Sequence, residues 1–311
     1  MHSSLPGVIV VGGEALVDLV IDPTGAVAAK LGGGPFNAAR TIGRLGSPVA
    51  FLGALSRDRF GRQLHERLLA DHVDDSLVHF TELPTTLAAA ELDESGSASY
   101  HFYLSDTSAP LGGVGELPGS IRILHVGTLG MVLEPMGASL EALTAGAADD
   151  VLVLLDPNCR PRVTPDRGGY LARLARMAAR ADAVKVSTDD LEFISPGDHA
   201  AGIADLLARG AVVLHTDGGH STKVHFPDGT RLEVPVPTVT VVDTIGAGDS
   251  FGGAFAAWWH QAGLGRGDLA DHAAVEAAVV AGVRVAAVNC TRAGANPPSA
   301  VELGDAWRPG R

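Results

Sequence analysis

The sequence predicts an α/β fold: a mostly parallel sheet with helices on both faces, accompanied by a second, smaller sheet. Three observations carry that expectation. Short apolar runs rich in β-branched residues recur at 8–11, 49–52, 123–126, 151–155, 183–186 and 212–214. Leu/Ala/Arg-rich segments of helical character at 136–146, 169–180 and 199–208 separate the later runs. Continuous apolar strands alternating with helices are the pattern of a sheet buried on both faces. Residues 78–105 differ, with 85–92 and 99–104 reading as a hairpin of partly exposed strands about a turn at 93–96.

Taken in order, the first run ends at Gly12 and Gly13, which suits a buried strand meeting a loop. Residues 15–21 mix strand formers around Asp18. Gly32, Gly33, Gly34 and Pro35 then break the chain. Over 37–45, Ala38, Ile42 and Leu45 repeat at helical spacing until Gly46 stops them. A strand at 49–52 and a helix at 58–69 follow, and the Ser/Gly/Pro-rich stretch 105–120 reads as an ordered surface loop. The last helical region covers 251–259 and 271–288. No internal repeat is visible, so the expectation is one domain over 1–311, with a lid built from 14–31 and 78–106.

At 311 residues the chain is long enough to bury a large core. With 23 Lys and Arg against 36 Asp and Glu, the net charge is −13, and no basic cluster interrupts it. Bulk attraction to nucleic acid or to an anionic membrane is therefore not expected. An anionic substrate would need local compensation from backbone N–H groups, a helix end or a metal ion. Cys159 and Cys290 make no disulfide framework and read as buried thiols. The twelve histidines are scattered, without metal-ligand spacing. No basic region followed by a signal-like apolar run opens the chain, and no span-length segment is free of polar interruption. A cytoplasmic location is the expectation.

The most informative stretch is Asp243-Thr244-Ile245-Gly246-Ala247-Gly248-Asp249-Ser250-Phe251-Gly252. It reads as loop, glycine turn and helix start. Gly246 and Gly248 permit tight backbone and keep Cβ atoms out of an anion's space. Free N–H groups and the dipole at a helix N-terminus favour negative charge. In that setting Asp249 can take the proton of a hydroxyl attacking phosphorus. The plain alternative is a glycine loop before a helix capped by Asp249. The spacing is not that of a dinucleotide fingerprint, and a Walker-type loop is absent.

This stretch resembles the C-terminal signature of the ribokinase-like, or PfkB, family of carbohydrate kinases, and the resemblance extends over residues 8 to 298. It implies a three-layer α/β/α Rossmann-like sandwich with a β-sheet lid, and ATP-dependent phosphorylation of a primary hydroxyl. Asp249 then matches the general base, and Gly246, Ala247 and Gly248 match the anion hole. Gly32-Gly33-Gly34-Pro35-Phe36-Asn37-Ala38-Ala39 resembles the N-terminal signature, which implies sugar binding by Gly33, Gly34 and Asn37; as spacing alone, Asn37 could equally be a helix cap. Asp18 in Gly13-Glu14-Ala15-Leu16-Val17-Asp18 matches the residue that holds sugar hydroxyls. Ser99-Tyr100-His101-Phe102-Tyr103 resembles the lid strand, so Phe102 or Tyr103 could stack on the sugar. Arg160, in Asp156-Pro157-Asn158-Cys159-Arg160-Pro161, is expected to meet a substrate hydroxyl, a carboxylate or an ATP phosphate.

On the nucleotide side, Lys185-Val186-Ser187-Thr188-Asp189-Asp190 stands where the family has Asn-x-x-Glu. Ser187 replaces the amide and Asp190 the glutamate, so Asp190 is expected to act on Mg²⁺ through water, with Asp189 as the alternate. Thr216 and Gly218 are retained from a Thr-x-Gly turn beside ATP, whereas Asp217 departs from the usual apolar residue. Asn289 and the following 291–295 segment resemble the adenine side. Asp243, Ile245 and Gly294 are the candidates for a bound K⁺. The motifs look most like the fructokinase branch, with 2-keto-3-deoxygluconate kinase second and ribokinase or nucleoside kinase lower. A catalytically silent sugar-binding protein is the rival of a different class. The lid sheet offers a surface for a homodimer.

Overall fold

The computed structural model describes residues 7–92, 98–113 and 115–309. The chain runs β1 (Val8–Gly12), β2 (Leu16–Ile21), β3 (Val27–Gly32), α1 (Gly34–Arg44), β4 (Val49–Leu52) and β5 (Ala54–Ser56). It continues with α2 (Arg59–Ala70), β6 (His79–Thr81), β7 (Leu87–Leu92), β8 (Ala98–Tyr103), β9 (Ile121–Gly127) and α3 (Met136–Ala145). Then come β10 (Leu152–Asp156), α4 (Arg167–Ala178), β11 (Ala183–Ser187), α5 (Thr188–Ile194), α6 (His199–Ala208) and β12 (Val212–Thr216). The hairpin strands β13 (Thr222–His225) and β14 (Arg231–Val234) precede the long helices α7 (Ala247–Gln261) and α8 (His272–Cys290).

Eight strands form the main sheet in the order β14-β13-β12-β11-β10-β9-β1-β4. From β4 across to β12 neighbours are parallel, and β13 and β14 extend the sheet antiparallel. Alternate residues of each strand serve opposite faces, as a period of two requires. Ile9, Val11, Leu152 and Leu154 pack with α1, α2, α7 and α8. Val10, Val153 and Leu155 pack with α3, α4, α5 and α6 on the other face. The three-layer α/β/α architecture follows. Among the described residues one helix, α8, is long and apolar enough to cross a membrane by length and composition. Here Val275, Ala278, Val279, Val283 and Val285 are buried in the core, and Glu276 and Arg284 interrupt the apolar sequence.

The smaller sheet has the order β3-β2-β7-β8. The hairpin read from 85–104 is its β7–β8 pair; the turn at 93–96 lies outside the described residues. Residues 79–81 do not join it, because β6 pairs with β5 in a separate two-stranded sheet. The β13–β14 hairpin was not anticipated, although the Asp228-Gly229 pair between its strands is a turn signal.

Two features position the site. The chain leaves β1 for β4 on one side and returns to β9 on the other, so a crevice opens at the carboxyl end of β1, where open α/β sheets bind ligands. In addition, α1 and α7 cross closely at Gly253, where an added Cβ would lie 2.7 Å from the Ala38 carbonyl oxygen and 3.0 Å from Thr41 Cβ. Gly253→Ala is expected to force the helices apart and destabilise the fold by about 1–3 kcal/mol. Thermal unfolding checks this, with a lowered Tm as the expected result.

Candidate active site

Between the carboxyl ends of the main sheet and one face of the small sheet lies a cavity of about 630 Å³. The small sheet contributes Leu16, Asp18, Val20, Ala90 and Phe102, spaced by two along their strands, so one pleated face covers the opening. Tyr103 points from the opposite face and is 58 % exposed. Of the two candidate stacking residues, the cavity therefore has Phe102.

The floor is the start of α7. Gly246, the residue before the helix, has φ +73°, a left-handed conformation suited to glycine. A Cβ there would meet Ala295 Cβ at 2.6 Å, and one on Gly248 would meet Lys185 Nζ at 2.9 Å. The first-turn N–H groups of a helix lack intrahelical partners. A lysine ammonium directly beside them adds full positive charge to the same place, so the cradle fits a phosphate. Lys185 is buried and lies 3.0 Å from Asp156. Burial pulls its pKa down, but the charges of Asp156, Asp190 and Asp249 outweigh this and hold it above the usual lysine range. Asp156 is pushed up to about 6 by burial, against the pull of Lys185. The pair is charged at neutral pH.

Asn37 and Asp249, 212 residues apart, meet in this cavity: Asn37 Nδ2 donates to Asp249 Oδ2 at 3.0 Å. Asn37 stands in the first turn of α1, behind Gly33 in a positive-φ conformation and Pro35. Burial raises the pKa of Asp249, while the Asn37 hydrogen bond and the charges of Lys185 and Arg160 oppose it. Asp18 is raised to about 6 by burial and by the nearby Asp249 charge, with Arg160 opposing. Gly33, Gly34, Arg160, Ile245 and Ala247 line the same space.

The remaining candidates, Ile245 apart, lie outside the cavity lining. Thr216 ends β12 and Gly218 follows at φ +55°. Asp217 accepts from Thr188 Oγ1 at 2.8 Å, which accounts for a carboxylate at a position expected to be apolar. Ser187 caps α5 and Asp190 closes the capping box: Ser187 N and Oγ donate to Asp190 Oδ2, and Cys159 N donates to Oδ1 at 2.6 Å. Asn289 is fully buried, donates to the Ile245 carbonyl at 2.9 Å and accepts from Asn296 N. Asp243 accepts from Ile245 N and Gly294 N at 3.0 and 2.8 Å. The three K⁺ candidates thus belong to one knot of loop beside Gly246.

The polar lining residues to which the sequence assigned no role are Glu14, Thr128, Asn158, Arg162 and Thr244. A signal existed for Glu14, a carboxylate in an apolar run directly after a strand-ending glycine pair. Arg162 donates to Ser99 Oγ of the small sheet at 3.3 Å, a contact that no spacing in the sequence suggests.

A glycine turn at a helix start backed by a buried cation, with a buried carboxylate directly after it in the same cavity lining, fits a phosphotransferase acting on a hydroxyl compound. Comparison with known proteins agrees. Residues 8–301 match the pfkB family carbohydrate kinase description, and the chain belongs to that family. It is 38 % identical to a fructokinase of Rhizobium leguminosarum bv. trifolii, over 77 % of this chain and 76 % of that protein. It is 32 % identical to fructokinase-1 of Oryza sativa subsp. japonica, over 94 % of each. Among solved structures, the fructokinase with bound ATP from Xylella fastidiosa superimposes with a TM-score of 0.86 at 28 % identity, covering 94 % of each chain. A fructokinase from Vibrio cholerae O395 in fructose, ADP and potassium ion bound form gives 0.80 at 26 % identity, covering 94 % of this chain and 95 % of that one. The chain is an ATP-dependent sugar kinase with the ribokinase-like fold.

Proposed function

We propose that this kinase phosphorylates D-fructose on its primary hydroxyl to give fructose 6-phosphate, with Asp249 as general base. The observation that carries the reading is the hydrogen bond from Asn37 to Asp249, which ties the sugar-side helix to the phosphate cradle. It aims the carboxylate and leaves Asp249 Oδ1 to receive the hydroxyl proton. Burial, by raising the proton affinity of Asp249, moves the group toward the pH at which a base works best. Asn37 Oδ1 is buried and has no protein partner among the described residues, so it is the acceptor for a sugar hydroxyl. Asp18 and the backbone of Gly33 and Gly34 hold further hydroxyls, and Phe102 covers an apolar face of the sugar.

ATP with Mg²⁺ supplies the transferable phosphoryl group and neutralises charge along the phosphates. Gly246, Ala247, Gly248 and Lys185 hold the γ-phosphate end, and Thr216, Gly218 and Asn289 belong to the nucleotide side. Asp190 acts on Mg²⁺ through water, since its oxygens already accept from Ser187 and Cys159. Asp243, Ile245 and Gly294 form the K⁺ site, in keeping with the potassium-bound relative. The enzyme is read as cytoplasmic, and as a dimer paired through the exposed small sheet.

Fructose is favoured by the names of the relatives and by the fructose-bound neighbour. The second reading is 2-keto-3-deoxygluconate, favoured by Arg160 and Arg162 in the cavity lining, either of which could pair with its carboxylate. An ATP-consumption panel of fructose, 2-keto-3-deoxygluconate, ribose and adenosine separates them. The expected result is the highest kcat/KM with fructose. A higher value with 2-keto-3-deoxygluconate, lost on Arg160→Ala, would replace it. Tight sugar binding without turnover would favour the silent reading.

A further inference from the structure

Glu14 is a buried carboxylate in the cavity lining that the reaction described above does not use. It follows the Gly12-Gly13 end of β1, at the point where the sheet order reverses. Its Oε1 accepts from Gly34 N at 3.2 Å, and its Oε2 accepts from Thr128 Oγ1 at 2.6 Å and Gly130 N at 3.0 Å. One side chain therefore ties the loop after β1 to the start of α1 and to the loop after β9. All three pieces line the cavity that holds Asp249, and Gly34 lies between the others and the base: a Cβ there would be 2.9 Å from Thr128 Cγ2 and 3.2 Å from Asp249 Oδ1. Thr128 is held at φ +56°, a left-handed conformation costly for a β-branched residue. Its hydroxyl bond to Glu14 helps to keep it there.

We propose that Glu14 is a positioning residue for phosphoryl transfer, whose ionised carboxylate fixes the Gly33–Gly34 backbone and Thr128 around Asp249. It rests on the sugar-kinase reading of the same cavity. The ionised carboxylate accepts from two N–H groups and a hydroxyl; protonation turns the Thr128 bond round, so that its hydroxyl must accept instead of donate, and replaces charge-assisted bonds to Gly34 and Gly130 by weaker neutral ones. The other charged groups around the cavity are Asp18 on β2, Asp249 on α7, Lys185 on β11, and Arg160 and Arg162 after β10; none of them shifts Glu14. Burial raises its pKa to about 7, and the hydrogen bonds from Thr128, Gly34 and Gly130 oppose that rise.

Two opposite pH trends follow. Alignment of the sugar needs the carboxylate, so kcat/KM for the sugar rises as pH increases through about 7. The folded-state pKa is raised, so the contribution of Glu14 to stability is fully present below its unfolded value and is lost as pH rises through about 7.

The test is Glu14→Gln in the full chain, assayed beside the parent with Mg-ATP and fructose. Expected are a KM for fructose raised about tenfold or more with KM for ATP within about twofold, and loss of the parental activity limb near neutrality. Thr128→Val keeps the side-chain shape and removes only the hydroxyl; it should move that limb to higher pH, because a bond that lowers the pKa is gone. Amide exchange of 33–37 and 128–131, measured without substrate, should speed up in Glu14→Gln and leave 254–260 unchanged. A parent inactive on fructose would overturn the substrate reading alone, since exchange still reads the clamp. Folded Glu14→Gln with parental exchange, or with parental KM and pH profile on an active parent, would overturn the proposal. If Glu14→Gln does not fold, an unshifted limb in Thr128→Val does so.

Discussion

Asp249→Asn is expected to lower kcat by about 10²–10⁴-fold, the range over which a positioned general base contributes, while leaving fructose affinity nearly intact. The substitution keeps the shape, and the new side-chain carbonyl can still accept from Asn37 Nδ2. What it removes is the site for the hydroxyl proton. Steady-state kinetics with calorimetric sugar binding separates the two effects. Because burial raises the pKa of Asp249, activity should fall on the acid side as the base becomes protonated, with Asp18, raised to about 6, contributing to the same limb. An Asp249→Asn enzyme within a few-fold of the parent would remove Asp249 from the chemistry.

Lys185→Met should have the second large effect, on the fold as well as on the reaction. Both members of the Lys185–Asp156 pair are at least 96 % removed from solvent, with side-chain exposures of 4 % and 2 %. Removing the lysine leaves a buried carboxylate without its counter-charge, which typically costs about 3–5 kcal/mol. The loss should be largest at high pH and smaller at low pH, where Asp156 can take a proton. Adding Asp156→Asn should recover much of the stability, because the orphaned charge is gone. It should not recover activity, since the cation beside Gly248 is still missing. Urea unfolding at two pH values, with the KM for ATP, distinguishes these outcomes. A stable Lys185→Met protein with unchanged KM for ATP would contradict the phosphate-cradle assignment.

Most of the main sheet was legible because parallel strands buried on both faces are continuous apolar runs, as at 8–11 and 151–155. The short strands β5 and β6 carry too few residues to show a period, and β13 and β14 are polar enough to resemble loop. The choice between Phe102 and Tyr103 was unreadable for a different reason. Adjacent strand residues face opposite ways, and only the register of the small sheet says which way is inward. Ser187 and Asp190 show two readings of one pattern: a Ser-x-x-Asp capping box occupies the place of a metal-side motif.

The site was partly legible. The glycine turn and the acidic residue after it point to phosphate chemistry by local geometry alone. Its partners do not, since Asn37 and Asp249 are joined only by the crossing of α1 and α7, and Lys185 meets Asp156 only through the pairing of β10 and β11. The family resemblance carried Asn37, Asp249 and Lys185 to the site, but not Asp156. Glu14 gained its significance only when three separated backbone segments were seen to converge on it.

The most direct test of the central claim is the product formed from Mg-ATP and fructose, followed by phosphorus NMR. The expected result is one fructose 6-phosphate for each ADP, absent in Asp249→Asn. ADP appearing without a sugar phosphate, or phosphate attached at a position other than the primary 6-hydroxyl, would contradict the account.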